Sequence, residues 1–367
     1  MQIWQVTEAD IGWLTSAVQS GFITGTLLIA LCGVADNLRA SRIFIAASVS
    51  GSVFNACFAL LSDGLLLATT FRFLVGMALA GIYPLGMKLI VSWAPERTGH
   101  ALAQLVAMLT LGTALPHGLR QIGANIPWQH IILASSILAL IGAVLIYFLG
   151  DGPHLPKTRS TSPTNRVNGK PDSVLSAFNV PQFRAAAFGY FGHMWELYAF
   201  WTIVPALLTQ TLLPEHFPKL GLSGWAFVMI GMGAVGSLTG GIVSRTMGSA
   251  KVALGALTGS LICATLFALF WRFLPPAALL AIFIFWGATV VADSPQFSAL
   301  SAQACPPHLV GAALAIQNSI GFAITVVSIT ATTTLFEHYG IDVIWLLVPG
   351  PILGLAGYAW ALKPKHN

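Results

Sequence analysis

FRAAAFGYFGHMWELYAFWTIVPALL, residues 183–208, is an apolar run long enough to cross a bilayer, yet it carries His193 and Glu196 near its middle. An ionised side chain at the centre of a membrane helix costs about 2.5–3.5 kcal/mol on insertion scales, so a carboxylate there is read first as functional. On a helix, Tyr190, His193, Glu196 or Leu197, and Phe200 follow at i+3 and i+4 steps and share one face. His193 and Glu196 could then hydrogen-bond or exchange a proton. The plainer alternative is a buried polar pair that glues two helices.

Composition widens this reading to the whole chain. Of 367 residues, 56% are hydrophobic and 8% charged, where a soluble domain has roughly a quarter of its residues charged. An all-α polytopic membrane protein is expected. The net charge of +5 does not point to nucleic acid, because the basic residues sit in short loops between apolar runs. Cys57 and Cys263 fall inside apolar runs and Cys32 and Cys305 in loops, so no structural disulfide is implied. Residues 1–10 contain no Lys or Arg and show no cleavable signal peptide.

Requiring about 20 apolar residues per crossing, the sequence predicts eleven spans: 11–31, 43–61, 65–92, 99–119, 130–149, 183–208, 222–244, 252–270, 277–300, 309–335 and 341–361. The interval 151–181, rich in Pro, Ser, Thr and Asn, reads as a linker between an N-terminal half-bundle of five spans (1–150) and a C-terminal one of six (182–367). With the linker inside, twelve basic residues face the cytoplasm and three (Arg120, Lys219, Arg272) lie outside. The C-terminus is then cytoplasmic and the N-terminus is not.

The halves echo one another. Pro84 and Pro295 stand 211 residues apart, as do Pro95 and Pro306. Short basic loops holding Asp36, Arg39 and Arg42, and then Arg245 and Lys251, follow the first and seventh spans. Repeated halves with a midplane site between them mark many secondary transporters. At this offset the helix matching 183–208 would lie before Met1, so the first half is expected to lack its first helix.

These residues resemble the major facilitator superfamily over nearly the whole chain. Asp36 with Arg39 and Arg42 is similar to the family's first cytoplasmic loop, although Cys32 stands at a glycine position and Asn37 at an arginine position. Arg72-Phe73-Leu74-Val75-Gly76 matches an R-x-x-x-G pattern of the family's fourth helix, here on the third span. RFLVGMALAGIYPLG, GYFGHMWELYAFW and DSPQFSAL look like bacterial permeases grouped loosely with nitrate, nitrite and cyanate carriers. The resemblance implies two pseudo-symmetric half-bundles, a bacterial inner (cytoplasmic) membrane and transport by alternating access. It does not imply a nitrate-type solute, because residues 11–31 and 222–244 contain no Arg or Lys for a planar-anion clamp.

A proton-coupled carrier needs a carboxylate whose proton affinity changes between its two facing states. Glu196 is the best candidate, His193 a relay, and Asp293, followed by Ser294 and Pro295, the second intramembrane acid, equally readable as a packing group. Arg72 should need an anionic or carbonyl partner; the resemblance suggests coupling, and a structural pair with an acid is the alternative. Gln19, Asn55, Gln104, His117, Gln317 and Asn318 offer polarity to a cavity, or glue between helices. Tyr190, Trp195, Tyr198 and Trp201 could stack on a solute.

The leading reading is a proton-coupled secondary transporter of a small solute, expected to work as a monomer, with the solute, protons and lipid as its partners. No nucleic acid, cofactor or metal is expected. The alternatives are a transporter-like sensor or partner that does not transport, or an N-terminally truncated fragment. An enzyme is not expected: neither H-E-x-x-H nor G-x-S-x-G occurs, and no Gly-rich phosphate loop is present.

Overall fold

The computed structural model describes residues 7–32, 38–93, 98–123, 126–154, 174–305 and 310–363. The elements among them are helical. The first half-bundle contains α1 (Glu8–Leu31), α2 (Ala40–Leu61), α3 (Leu65–Leu79), α4 (Tyr83–Trp93), α5 (Thr98–Ile122) and α6 (Trp128–Leu149). The second contains α7 (Pro181–Gln210), α8 (Gly221–Met247), α9 (Ser249–Phe270), α10 (Pro276–Ala292), α11 (Ser294–Ala304), α12 (Val310–Tyr339) and α13 (Pro349–Ala361). Two pairs, α3 with α4 and α10 with α11, each make one broken crossing, which gives eleven crossings among the described residues.

Among the described residues, eight stretches are long and apolar enough to cross a membrane, and one of them, 313–361, covers two helices. The exceptions, α1 and α7, have the length at 24 and 30 residues but are not among those stretches. For α7 the physical reason is plain: its polar groups are turned into protein rather than lipid, and His193 and Glu196 are buried. Successive crossings alternate in direction. One end of the bundle therefore carries residues 32, 38–40, 150–154, 174–180, 248 and 305, here termed the linker end.

The third and ninth crossings, expected as single spans, are interrupted at residues 80–82 and at Asp293. Pro84 and Pro295 follow those interruptions. A proline lacks the N–H that would continue the ladder, and it disfavours helical backbone at the residue before it. The interruptions keep the offset of 211, since α3–α4 starts at Leu65 and α10–α11 at Pro276.

The same offset governs packing. A Cβ on Gly76 would strike the carbonyl oxygen of Val18 on α1, and one on Gly287 that of Met229 on α8. In reverse, a Cβ on Gly25 would strike the carbonyl of Met77, and one on Gly236 that of Ala288. Each of these residues matches its counterpart 211 positions on. Glycine is required at these crossings because the backbones approach too closely for any side chain.

The halves meet through α1 against α12 and α5 against α8. Phe22 and Phe322 rings lie 4.2 Å apart across the first seam. Ser16 and Thr330 hydroxyls are 3.1 Å apart there. Across the second seam, Ser237 Oγ donates to the Ala103 carbonyl at 2.9 Å and the Gly224 N–H to Gln121 Oε1 at 3.1 Å. Of the expected linker, residues 155–173 lie outside the described residues, as does Asp36; the C-terminal part forms a 3₁₀ turn, Val174–Asn179, before Pro181 opens α7. Arg39, Arg42, Arg245 and Lys251 are exposed at the linker end.

Candidate functional site

The interior of the second half-bundle is built on α7, whose small residues Ala185, Ala186, Ala187, Gly189 and Gly192 let neighbouring helices close on it. A Cβ at Gly189 would strike Phe297 on α11, and one at Gly192 the carbonyl of Gly350 at 2.5 Å. These approaches bring the polar side chains of α7 against α9, α10 and α11 rather than lipid.

Glu196 is fully buried. One carboxylate oxygen accepts the indole N–H of Trp286 on α10 at 2.7 Å, and the other accepts the hydroxyl of Ser260 on α9 at 2.8 Å. The Trp286 ring is itself fixed by stacking on Phe200, one turn along α7, at 4.3 Å. Two donors on separate helices hold the acid in one rotamer, and neither carries a charge that would fix its proton state. Sequence reasoning did not find either partner: Trp286 lies in an apolar run and Ser260 among alanines, leucines and glycines.

Asp293, also fully buried, sits at the break between α10 and α11. Its Oδ1 lies 2.8 Å from Nδ1 of His193. The contact is an ion pair when His193 carries a proton. His193 thus faces Asp293, not Glu196 as spacing on α7 alone suggested. The structure buries Glu196, His193 and Asp293 in the same half-bundle, with His193 and Asp293 in direct contact and Glu196 on separate partners. No cluster of three or more metal-binding side chains occurs among the described residues.

A second face of α7 turns toward the other half. Tyr83 of α4 and Tyr198 pack against the cluster that buries Tyr190. Tyr198 packs edge-on against Trp201 at 5.4 Å and against Phe322 at 5.6 Å. Phe22, Tyr83, Tyr190, Tyr198 and Phe322 therefore form one aromatic cluster drawn from both halves. Tyr83, not singled out as a site residue in the sequence, contributes to it from the first half together with Phe22.

The remaining candidates are dispersed. Arg72 reaches Asn55 Oδ1 at 3.4 Å and lies 5.4 Å from the Phe58 ring centroid, both on α2. No acid forms an ion pair with it among the described residues. Asn55 gives its amide hydrogens to the Ile132 carbonyl and to Ser135 and Ser136 on α6, which ties α2 to α6. Trp195 donates to the Leu346 carbonyl at 2.7 Å and covers Gly350, a packing contact. Gln19, Gln317 and Asn318 are buried, His117 is half-buried and Gln104 is exposed.

Residues 1–329 match the family model described as Major Facilitator Superfamily. The chain belongs to the Major Facilitator Superfamily. A search of curated proteins gives no match. Among solved structures, this superfamily member is similar to that of the human organic anion transporter MFSD10 (TETRAN), with a TM-score of 0.67 and 15% identity. The match covers 97% of this chain and 83% of the other. At that identity the likeness establishes the shared fold. Family and fold together make the chain an integral, multi-pass membrane transporter.

Proposed function

We propose that this superfamily member is a secondary transporter that carries a small solute by alternating access and couples it to protons through Glu196, His193 and Asp293. The observation that carries this reading is the pair of fully buried carboxylates on adjacent helices of one half, one held by neutral donors and the other against an imidazole. Such groups have little reason to stay in a membrane bundle except to gain and lose protons. The solute would sit against the aromatic cluster of Phe22, Tyr83, Tyr190, Tyr198 and Phe322, which both halves supply, so that rocking of one half on the other opens it to either side. The half-bundles 1–150 and 182–367 are the rocking units, joined by the linker 151–181.

The distribution of Lys and Arg supports a cytoplasmic linker end, and the resemblance to bacterial permeases suggests a bacterial inner membrane. The coupling group lies in the second half alone. Arg72 belongs in this reading to the packing of the first half, because its partners are Asn55 and Phe58.

The test begins with a thermal-unfolding screen of the purified protein against anions, organic acids, sugars, amino acids and amphipathic drugs. A ligand at 100 times its dissociation constant adds about 2.7 kcal/mol of stability. The solute so identified is then followed into proteoliposomes under an imposed pH gradient. Glu196→Gln should abolish accumulation against the solute gradient while sparing solute exchange. Accumulation that persists unchanged in Glu196→Gln would remove Glu196 from the coupling role.

A further inference from the structure

On the linker side of the His193–Asp293 pair, three helices carry buried polar atoms with no protein partner. Gln296, one turn beyond Asp293 on α11, is fully buried, and neither its Oε1 nor its Nε2 has a hydrogen-bond partner. The same holds for Gln317 on α12. His193 Nε2 and Asp293 Oδ2 are likewise buried without a partner. A buried polar group left unpaired is strongly unfavourable, so groups of this kind are satisfied by something.

Their placement is common. Ala313, Gln317 and Gly321 follow at i+4 steps on α12. Ala313 packs with Phe183 and Ala187 of α7, while a Cβ on Gly321 would meet Tyr190 and Met194. Gln317, between them, therefore faces α7 at the depth of Ala187–Tyr190. Gln296 flanks the same depth from α11, because its neighbour Phe297 sits over Gly189. Helices α7, α11 and α12 pack on one another in all three combinations.

The chemistry of the unpaired set selects its occupant. The amide nitrogens of Gln296 and Gln317 can only donate, their carbonyl oxygens can only accept, Asp293 Oδ2 accepts when the acid is ionised and can donate when it is protonated, and His193 Nε2 does either according to its tautomer. A cation would satisfy the oxygens and leave the amide N–H groups unpaired. Water both donates and accepts, and buried waters typically make about three bonds to groups of this kind.

We propose that His193, Asp293, Gln296 and Gln317 enclose a cluster of ordered water inside the second half-bundle, and that this cluster is the route by which protons pass between the linker end and the His193–Asp293 pair. The proposal rests on the coupling role given to that pair under Proposed function. Gln296 and Gln317 are positioning residues in it; they hold water and do not titrate. The titratable and charged groups around the route are Arg184, Tyr190, His193 and Glu196 on α7, Asp293 beside α11, Cys305 at the end of α11 against Phe183 and Ala313, Cys263 on α9, and Tyr358 on α13, whose ring lies 6.4 Å from that of Phe297.

The test is infrared difference spectroscopy of the full chain in membranes between high and low pH, repeated in H₂¹⁸O. Bands of protonated carboxyl groups that vanish in Asp293→Asn and Glu196→Gln report the coupling pair. Bound-water stretching bands that shift with the oxygen isotope report the cluster. The wild type should show both. In Gln296→Met/Gln317→Met the water bands should be lost, and after a pH jump the carboxyl bands should appear severalfold more slowly. Gln317→Glu, which keeps hydrogen-bonding capacity, should retain the water bands, and the amide bands of the same spectra verify that each variant is folded. Carboxyl bands without isotope-sensitive water, or water bands and rates unchanged in the folded double Met variant, would overturn the proposal and leave the coupling reading standing. No titrating carboxyl band in the wild type would overturn both.

Discussion

The two half-bundles share a backbone and divide the chemistry. Gly76 and Gly287 make the same close crossing, against Val18 and Met229, and Pro84 and Pro295 follow the same break. At the same offset of 211, however, Asp293 corresponds to Ile82, Trp286 to Val75, Gln296 to Leu85 and Gln317 to Val106, while Phe283 corresponds to Arg72. Helices α2 and α9 match at an offset of 209, Ala40 with Ser249 and Leu61 with Phe270, which sets Gly51 against Ser260. Backbone contacts have been kept in both copies because a side chain there collides with a carbonyl. Positions that bear only side-chain contacts have been free to diverge, and the buried acids with their donors stand in the second copy.

The comparison can be broken first at the shared crossings. Gly76→Val and Gly287→Val should each abolish recovery of monodisperse protein, because the new side chain meets backbone that cannot move aside. Size-exclusion profiles would check this, and a well-folded variant in one half would show that the crossings are not equivalent. Next in size, Trp286→Val installs the first half's residue in the second. It removes the 2.7 Å donor to Glu196 and the stack on Phe200. Thermal unfolding should register a loss of about 3–5 kcal/mol.

Removing the first half's own intramembrane charge is milder. Arg72→Leu gives up a long 3.4 Å contact to a neutral acceptor and a ring contact, so its cost should stay within about 1–2 kcal/mol by the same assay. Smallest is a difference in thiol reactivity at the linker end. Cys32 is exposed, whereas Cys305 is buried and burial pushes its thiol up, so less of the reactive thiolate forms at a given pH. Maleimide should label Cys32 well before Cys305, and the lag should narrow as pH rises. With an impermeant reagent, labelling of Cys32 from the cytoplasmic side would also fix the orientation.

Much of the architecture was legible from apolar run lengths, because a bilayer demands crossings of one length and a proline offset survives in the chain. The breaks at 80–82 and Asp293 were not resolved into separate helices, since a proline in an apolar run signals a kink, a break or neither with equal ease. Asp151 was read only as linker, yet its Oδ1 accepts the Ser41 N–H at 2.8 Å at the start of α2; a bond across 110 residues has no local signature. Glu196, His193 and Asp293 stood out because charge is rare in lipid. Their partners did not, because Trp286 and Ser260 are ordinary residues in apolar helices and only tertiary packing aims them at a carboxylate. Tyr190 and Glu196 were placed on one face by counting, whereas in the folded chain Tyr190 joins the seam between halves and Glu196 points to α9 and α10.

The claim that matters most is that proton exchange belongs to the second half. It is tested most directly by counting the protons released or taken up when the solute found by thermal screening binds, with a pH indicator in weakly buffered solution. The account predicts a measurable proton exchange in the wild type, its loss in Glu196→Gln and Asp293→Asn, and its persistence in Arg72→Leu. Exchange that survives in both carboxylate variants, or disappears with Arg72→Leu, would contradict it.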